Sequence, residues 1–290
     1  MSALARLSIE TAASPSAATP PQEALYALAG HSGARVVLHA GRTRSFVRKT
    51  AGHASQNERL QGQIEKQRHL RRIGIPFPHV LRSGVDAQGC TFFDMAYVPG
   101  RSLADAAANA MPFALEPVVA AVERMLWLFK SCSGEALDAE LFRGKIEAIG
   151  KSSKVAGACA ERLLARDWRG IPSSLSHGDL TLENIMLGPE HRVVFIDCDA
   201  PWVSSWWLDV GKLYQDLQGH WCLRRVGGGV QRVNAIEKLS QLDALFRPLV
   251  EPALMERLPQ LAALHLFRAL PYAADGETAA FICKRIGKLL

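Results

Sequence analysis

The sequence predicts an α+β chain of two lobes, a small β-rich lobe followed by a larger helical one. Three observations carry that expectation. Up to about residue 100 the apolar residues come in short, strand-length runs broken by Gly and Pro, with one helical stretch among them. From Ser102 onward the spacing turns helical: Val118, Val122, Met125 and Phe129 recur on one face, and Leu/Ala-rich stretches fill 138–167 and 230–290. A chain of 290 residues also exceeds what most single cores hold. The expected divisions are a loose leader over 1–22, a small β-rich lobe over 23–100 and a larger helical lobe over 101–290, with polar loops near their join, where ligands usually bind.

Taken in order, the leader is rich in Ala, Ser, Thr and Pro and has no continuous apolar run, so it does not read as a signal peptide. Residues 35–39 and 45–49 are β-rich and joined by a Gly-containing turn, which is hairpin chemistry. Asn57 is placed to cap a helix running to about Arg72, with Leu60, Ile64 and Leu70 near one face. The segment "IGIPFPHVLRSG" leaves that helix through two prolines into a short strand. "TFFDMAYVPG" supplies another, stopped by Pro-Gly. Later, "RVVFID" reads as an apolar strand ending in an acid.

Composition excludes several classes. No apolar run approaches the ~18 residues of a membrane span. The six cysteines are scattered without a C-x-x-C pair, which argues against a zinc site or disulfide framework and for free thiols in a cytoplasmic protein. Residues 31–85 hold eleven Lys and Arg against only Glu58 and Glu65. Such a segment suits a polyphosphate ligand, a nucleic acid, an anionic surface or simply solvent. No nucleic-acid-reading motif accompanies it, and few aromatics interleave with the basic residues.

The chemistry concentrates in "SHGDLTLENIML", residues 176–187, and "VVFIDCD", residues 193–199. Asp179 and Asn184 are five apart, and Asp197 follows at the end of the next strand. Phosphoryl transfer needs a carboxylate to take the acceptor's proton and oxygen ligands for Mg²⁺. The protein-kinase pattern has the same Asp-to-Asn spacing. The alternative for each residue alone is an Asx-turn or a strand-end acid.

These residues, H-G-D-x-x-x-x-N followed by I-D-x-x, resemble the aminoglycoside phosphotransferase and choline kinase-like family, relatives of the protein kinases. The resemblance implies a bilobal protein-kinase-like fold and an ATP- and Mg²⁺-dependent kinase acting on a hydroxyl of a small molecule. It implies Asp179 as catalytic base, Asn184 and Asp197 as metal ligands, and His177 and Asp209 as braces of the loop. Thr181 stands where many relatives have a second His. In "FVRKT" alternation lets only one of Arg48 and Lys49 face the cleft, and the family pattern favours Lys49 as the phosphate clamp. Its helix partner should be a glutamate. The family position aligns nearest Gln63, whereas the carboxylate at hand is Glu65, about 200° further round the helix. The turn "AGHSGA" would cradle phosphates on the backbone N–H groups of Ser32 and Gly33, and backbone around Met95 to Tyr97 would meet the adenine edge.

For the acceptor, Asp199, Trp202 and Trp206 are candidates, since aromatic faces stack on sugars or hold cations; indoles equally fill cores. The segment "WLDVGKLYQDLQGHW" also resembles phosphotransferases associated with surface polysaccharide synthesis, which implies a sugar-type hydroxyl. The alternative function is a nucleotide-binding regulatory module, a pseudokinase without turnover.

Overall fold

The computed structural model describes residues 24–28, 33–41, 44–109, 111–273 and 275–290. The leader expected over 1–22 and Ser32 lie outside the described residues. The chain divides into two compact units, one made of the residues up to Gly100 with Val194–Ala200, the other of Arg101–Val193 with Pro201–Leu290.

The smaller unit is an antiparallel sheet of five strands, β1 (Ala24–Leu28), β2 (Arg35–Ala40), β3 (Phe46–Thr50), β4 (Val80–Val85) and β5 (Thr91–Ala96), in the order β1-β2-β3-β5-β4. Helix α1 (Asn57–Arg72) packs on β4 and β5. Its apolar residues Leu60 and Ile64 join Ala51, Val80, Cys90 and Phe93 in one buried cluster. Asn57 is the first helical residue and not the cap. Its side chain is taken by the strands instead, accepting from the Thr91 N–H at 2.7 Å and donating to the Gly89 carbonyl at 2.8 Å. Alternation along β3 sends its two cations to opposite faces. Arg48 forks onto Asp94 of β5, which Arg82 of β4 also holds. Burial would raise the Asp94 carboxyl, but the two guanidiniums outweigh it and hold it below its usual range.

The larger unit opens with β6 (Arg101–Ser102), antiparallel to β7 (Ile185–Leu187), and contains helices α2 (Leu103–Ala108), α3 (Leu115–Ser131), α4 (Ala139–Gly150), α5 (Lys154–Leu164), α6 (Trp206–Leu217), α7 (Val230–Phe246), α8 (Pro252–Met255), α9 (Leu258–Ala269) and α10 (Gly276–Leu289). Helix α6 is its axis. Eleven of its twelve residues are buried, leaving only Lys212 outside that class. Even its polar residues Asp209, Gln215 and Asp216 are buried, and α6 meets α9 so closely that a Cβ on Gly211 would stand 2.6 Å from the Leu261 Cβ. Strand β8 (Val193–Phe195) carries the chain from the larger unit into the smaller one. Once there, the Phe195 N–H donates to the Pro76 carbonyl at 2.8 Å and its ring lies 6.2 Å from that of Phe77.

Candidate active site

In the larger unit the loop of residues 176–184 is held from beneath by α6. Gly178 has φ +91, which a residue with a Cβ rarely adopts. The N–H groups of His177 and Gly178 point at one carboxylate, Asp209, whose oxygens lie 2.5 and 2.8 Å away. Two turns further along α6, Asp216 accepts from the N–H of Leu182 at 2.7 Å and of Cys222 at 3.0 Å. Between them Lys212 reaches the Asp179 carboxylate, Nζ to Oδ1 at 3.1 Å. Positions 209, 212 and 216 are three and four apart, so they share one helical face. That spacing was the available signal for Lys212 and Asp216, neither of which sequence reasoning singled out.

Asp179 is thus gripped on both oxygens: Lys212 at Oδ1 and the Asn184 Nδ2 at Oδ2, 2.9 Å away. The same Nδ2 donates to the Asp179 carbonyl at 2.8 Å, so the amide's oxygen is the end left to meet a cation. The Asp179 side chain keeps 38% of its surface exposed while His177, Leu180 and Asn184 are buried, so the carboxylate is open to solvent. Glu183 is tied to Arg224 at 3.0 Å, and that guanidinium lies over the Trp221 ring.

Asp216 is fully enclosed. Burial and the nearby Glu183 push its carboxyl up to about 7, against the pull of the Leu182 N–H and of Lys212 and Arg224. A carboxyl raised above its unfolded value stabilises the fold fully below the unfolded value, and that contribution is lost as pH rises through the folded one. Wild-type protein should therefore lose stability relative to Asp216→Asn, which cannot titrate, as pH rises from about 4 to about 7. Thermal unfolding of both proteins across that range checks this; a constant difference between them would refute it.

In the smaller unit Lys49 is 3% exposed and its ammonium is paired with Asp197. Asp197 has φ +57, a left-handed backbone that Asp tolerates better than most residues but that still needs support from its surroundings. Its side chain is 43% exposed. Glu65, expected beside Lys49, lies on the exposed face of α1 and accepts from Gln61 at 3.4 Å. The helix rotation between 63 and 65 turns it away, and buried Gln63 occupies the inward position. Gly33 has φ +76 and sits over the turn after β3, where an added Cβ would meet the Gln56 amide at 2.9 Å. Met95 is interior to the sheet, opposite Val47 and Val80, with its side chain against the apolar cluster. Tyr97 lies just past β5, 39% exposed, its N–H toward the Ser45 carbonyl at 3.4 Å.

Residues 27–235 match the phosphotransferase enzyme family. The chain belongs to that family. Its fold is the protein-kinase-like fold of solved phosphotransferases. A thermostable mutant of the aminoglycoside phosphotransferase APH(4)-Ia shares it at TM-score 0.60 and 16% identity, over 91% of this chain and 93% of its own. APH(3'')-Id from Streptomyces rimosus gives 0.57 and 23% identity over 83% and 92%. A candidate fructosamine-3-kinase from Haemophilus somnus gives 0.59 and 13% identity over 92% and 90%. At such identities the fold is what is shared. Another APH(4)-Ia structure is a ternary complex with ADP and hygromycin B. No curated protein matches the sequence.

The structure gives the surroundings of the three acceptor candidates of this phosphotransferase. Trp206 is 2% exposed and packs edge-on to Trp207, with centroids 6.4 Å apart. Trp202 sits edge-on against Phe142 at 5.2 Å, in a cluster with Trp168. Trp206 fills the helical unit, as large apolar rings do wherever a packed neighbour is at hand, and Trp202 is half-buried there. Asp199 is no free ligand either. Arg59 forks onto both of its oxygens at 3.1 and 2.6 Å, and Gln63 donates to one at 3.1 Å. Among the described residues no helix of the phosphotransferase is long and apolar enough to cross a membrane, and no cluster of three or more His, Cys, Asp or Glu could hold a metal.

Proposed function

We propose that this phosphotransferase is a small-molecule kinase that moves the γ-phosphate of ATP, with Mg²⁺, onto a hydroxyl. The observation that carries the reading is the Asp179 carboxylate, held on one side by Asn184 and on the other by Lys212 yet open to solvent. A carboxylate fixed in that way is a base waiting for an acceptor's proton. Lys49 offsets phosphate charge, and its pairing with Asp197 yields when nucleotide arrives. Asn184 of the larger unit and Asp197 of the smaller each offer an oxygen of the hard kind that Mg²⁺ takes, an ion that needs few protein ligands and completes its shell with phosphates and water. When bound, the ion would neutralise charge on the phosphates. Gly33 backbone and the segment at Met95 and Tyr97 are the proposed nucleotide contacts. The phosphotransferase would work in the cytoplasm, where its six free cysteines stay reduced.

For the acceptor, a sugar-type hydroxyl is the class favoured, by the likeness of fold to a kinase solved with hygromycin B. The buried Trp206 lends this no support. ADP release by purified protein with Mg²⁺ and ATP, across sugars, aminoglycosides, amino alcohols and nucleosides, tests the reading. Acceptor-dependent release is expected; nucleotide binding without release from any class would favour the alternative, a regulatory pseudokinase. One feature favours that alternative, the amide Gln63 at the inward position of α1.

A further inference from the structure

Three consecutive residues, Asp197 to Asp199, are tied to the smaller unit by side chains at each position. Asp197 meets Lys49 of β3. The buried Cys198 thiol points its Sγ at the Gln63 carbonyl, 3.8 Å away. Asp199 takes Arg59 and Gln63 on its carboxylate and Lys66 on its carbonyl, the last at 2.5 Å. Arg59, Gln63 and Lys66 are spaced four and three apart, so α1 presents them on one face. Lys49, Arg59 and Gln63 also line one small cavity of about 10 Å³.

We infer that Arg59, Gln63 and Lys66 are positioning residues that set Asp197 through Asp199, and that this link stands in for the lysine–glutamate pair by which kinases join the helix to the phosphate-binding lysine. The inference rests on the kinase reading above. The physical argument is complementarity. The Gln63 Nε2 lies 3.1 Å from the Asp199 Oδ1, so a glutamate at 63 would set two carboxylates against each other. The carboxylate of this contact has moved from helix to loop, and the helix carries the donor. Arg59 reaches both oxygens of the Asp199 carboxylate, and Gln63 and the Ala200 N–H donate to Oδ1, so the carboxylate is engaged on both sides. With no carboxylate on the helix to claim it, Lys49 pairs with Asp197. The left-handed backbone at Asp197 is kept by its two clamped neighbours.

The test is the affinity of purified protein for Mg²⁺-ATP, by calorimetry, beside the nucleotide-free melting temperature. Asp199→Asn and Gln63→Glu should each weaken Mg²⁺-ATP binding by about tenfold or more, the first by removing the anion and the second by repulsion. Gln63→Glu combined with Asp199→Asn returns the carboxylate to the helix and should recover affinity to within about threefold of wild type, since contacting residues couple non-additively. Arg59→Gln, at a half-exposed side chain, should show the same loss and keeps the test open if another variant fails to fold. Wild-type affinity in the single variants, or a double variant no better than they are, overturns the inference. Wild-type protein without Mg²⁺-ATP affinity would instead sink the kinase reading.

Discussion

Asp179→Asn is expected to lower the rate of phosphoryl transfer by about 10²–10⁴, the usual contribution of a positioned base, or about 3–5 kcal/mol of barrier. Mg²⁺-ATP affinity should change little. The contrast follows from where the charge sits. Asparagine keeps an acceptor oxygen for the Asn184 amide, so the loop should retain its shape, with Asp209 and Asp216 still binding its backbone N–H groups. What disappears is the group able to take a proton, together with the anion that Lys212 faces at 3.1 Å. Single-turnover kinetics with a responsive acceptor would separate the two effects. Unchanged turnover would remove Asp179 from the reaction; lost nucleotide binding would show that its role is structural.

The residues of the site differ in how legible they were. The five-residue spacing of Asp179 and Asn184 pointed to two side chains on one loop, which the structure joins at 2.9 Å, and β3 alternation separated Lys49 from Arg48. The fold class was readable from the change of apolar period near Ser102. Helix α6 was harder. Its apolar residues dominate the segment, and a lone lysine among them looks like an exposed position until the loop above it is known. Asp199 misled for a different reason. An acid two residues after Asp197 looks like another ligand, and its partner Arg59 lies 140 residues away in the chain. On α1, the sequence offered a carboxylate at 65 and an amide at 63, and composition cannot say which faces inward. Packing decides it: Leu60, Ile64 and Gln67 are buried, and their face includes 63 but not 65. The tryptophans illustrate the limit of reading aromatic density, since the same rings that stack on sugars serve as well in a core.

Lys212→Met should reduce the transfer rate by about 10²-fold, the scale seen when one preorganised electrostatic partner is removed, and should move the acidic limb of the pH–rate profile to higher pH. The direction is set by charge. A cation 3.1 Å from Asp179 favours its ionised form, so removing it makes the base harder to ionise. The rate then requires a higher pH before Asp179 is competent. A merely structural lysine would not produce this shift. Lys212 is the one residue of α6 outside the buried class, its side chain 20% exposed on a helix packed on all sides. A charge in such a place is costly unless paired, and the partner it has is the carboxylate of the proposed base. Methionine keeps the stem's length and apolar character, so the melting temperature should hold while the rate falls. Lys212→Arg, which keeps the charge, should restore the position of the limb even where it restores only part of the rate. A rate within about threefold of wild type, with the limb unmoved, would reduce Lys212 to a surface ion pair. A moved limb would tie α6, through one side chain, to the protonation state of the group that does the chemistry.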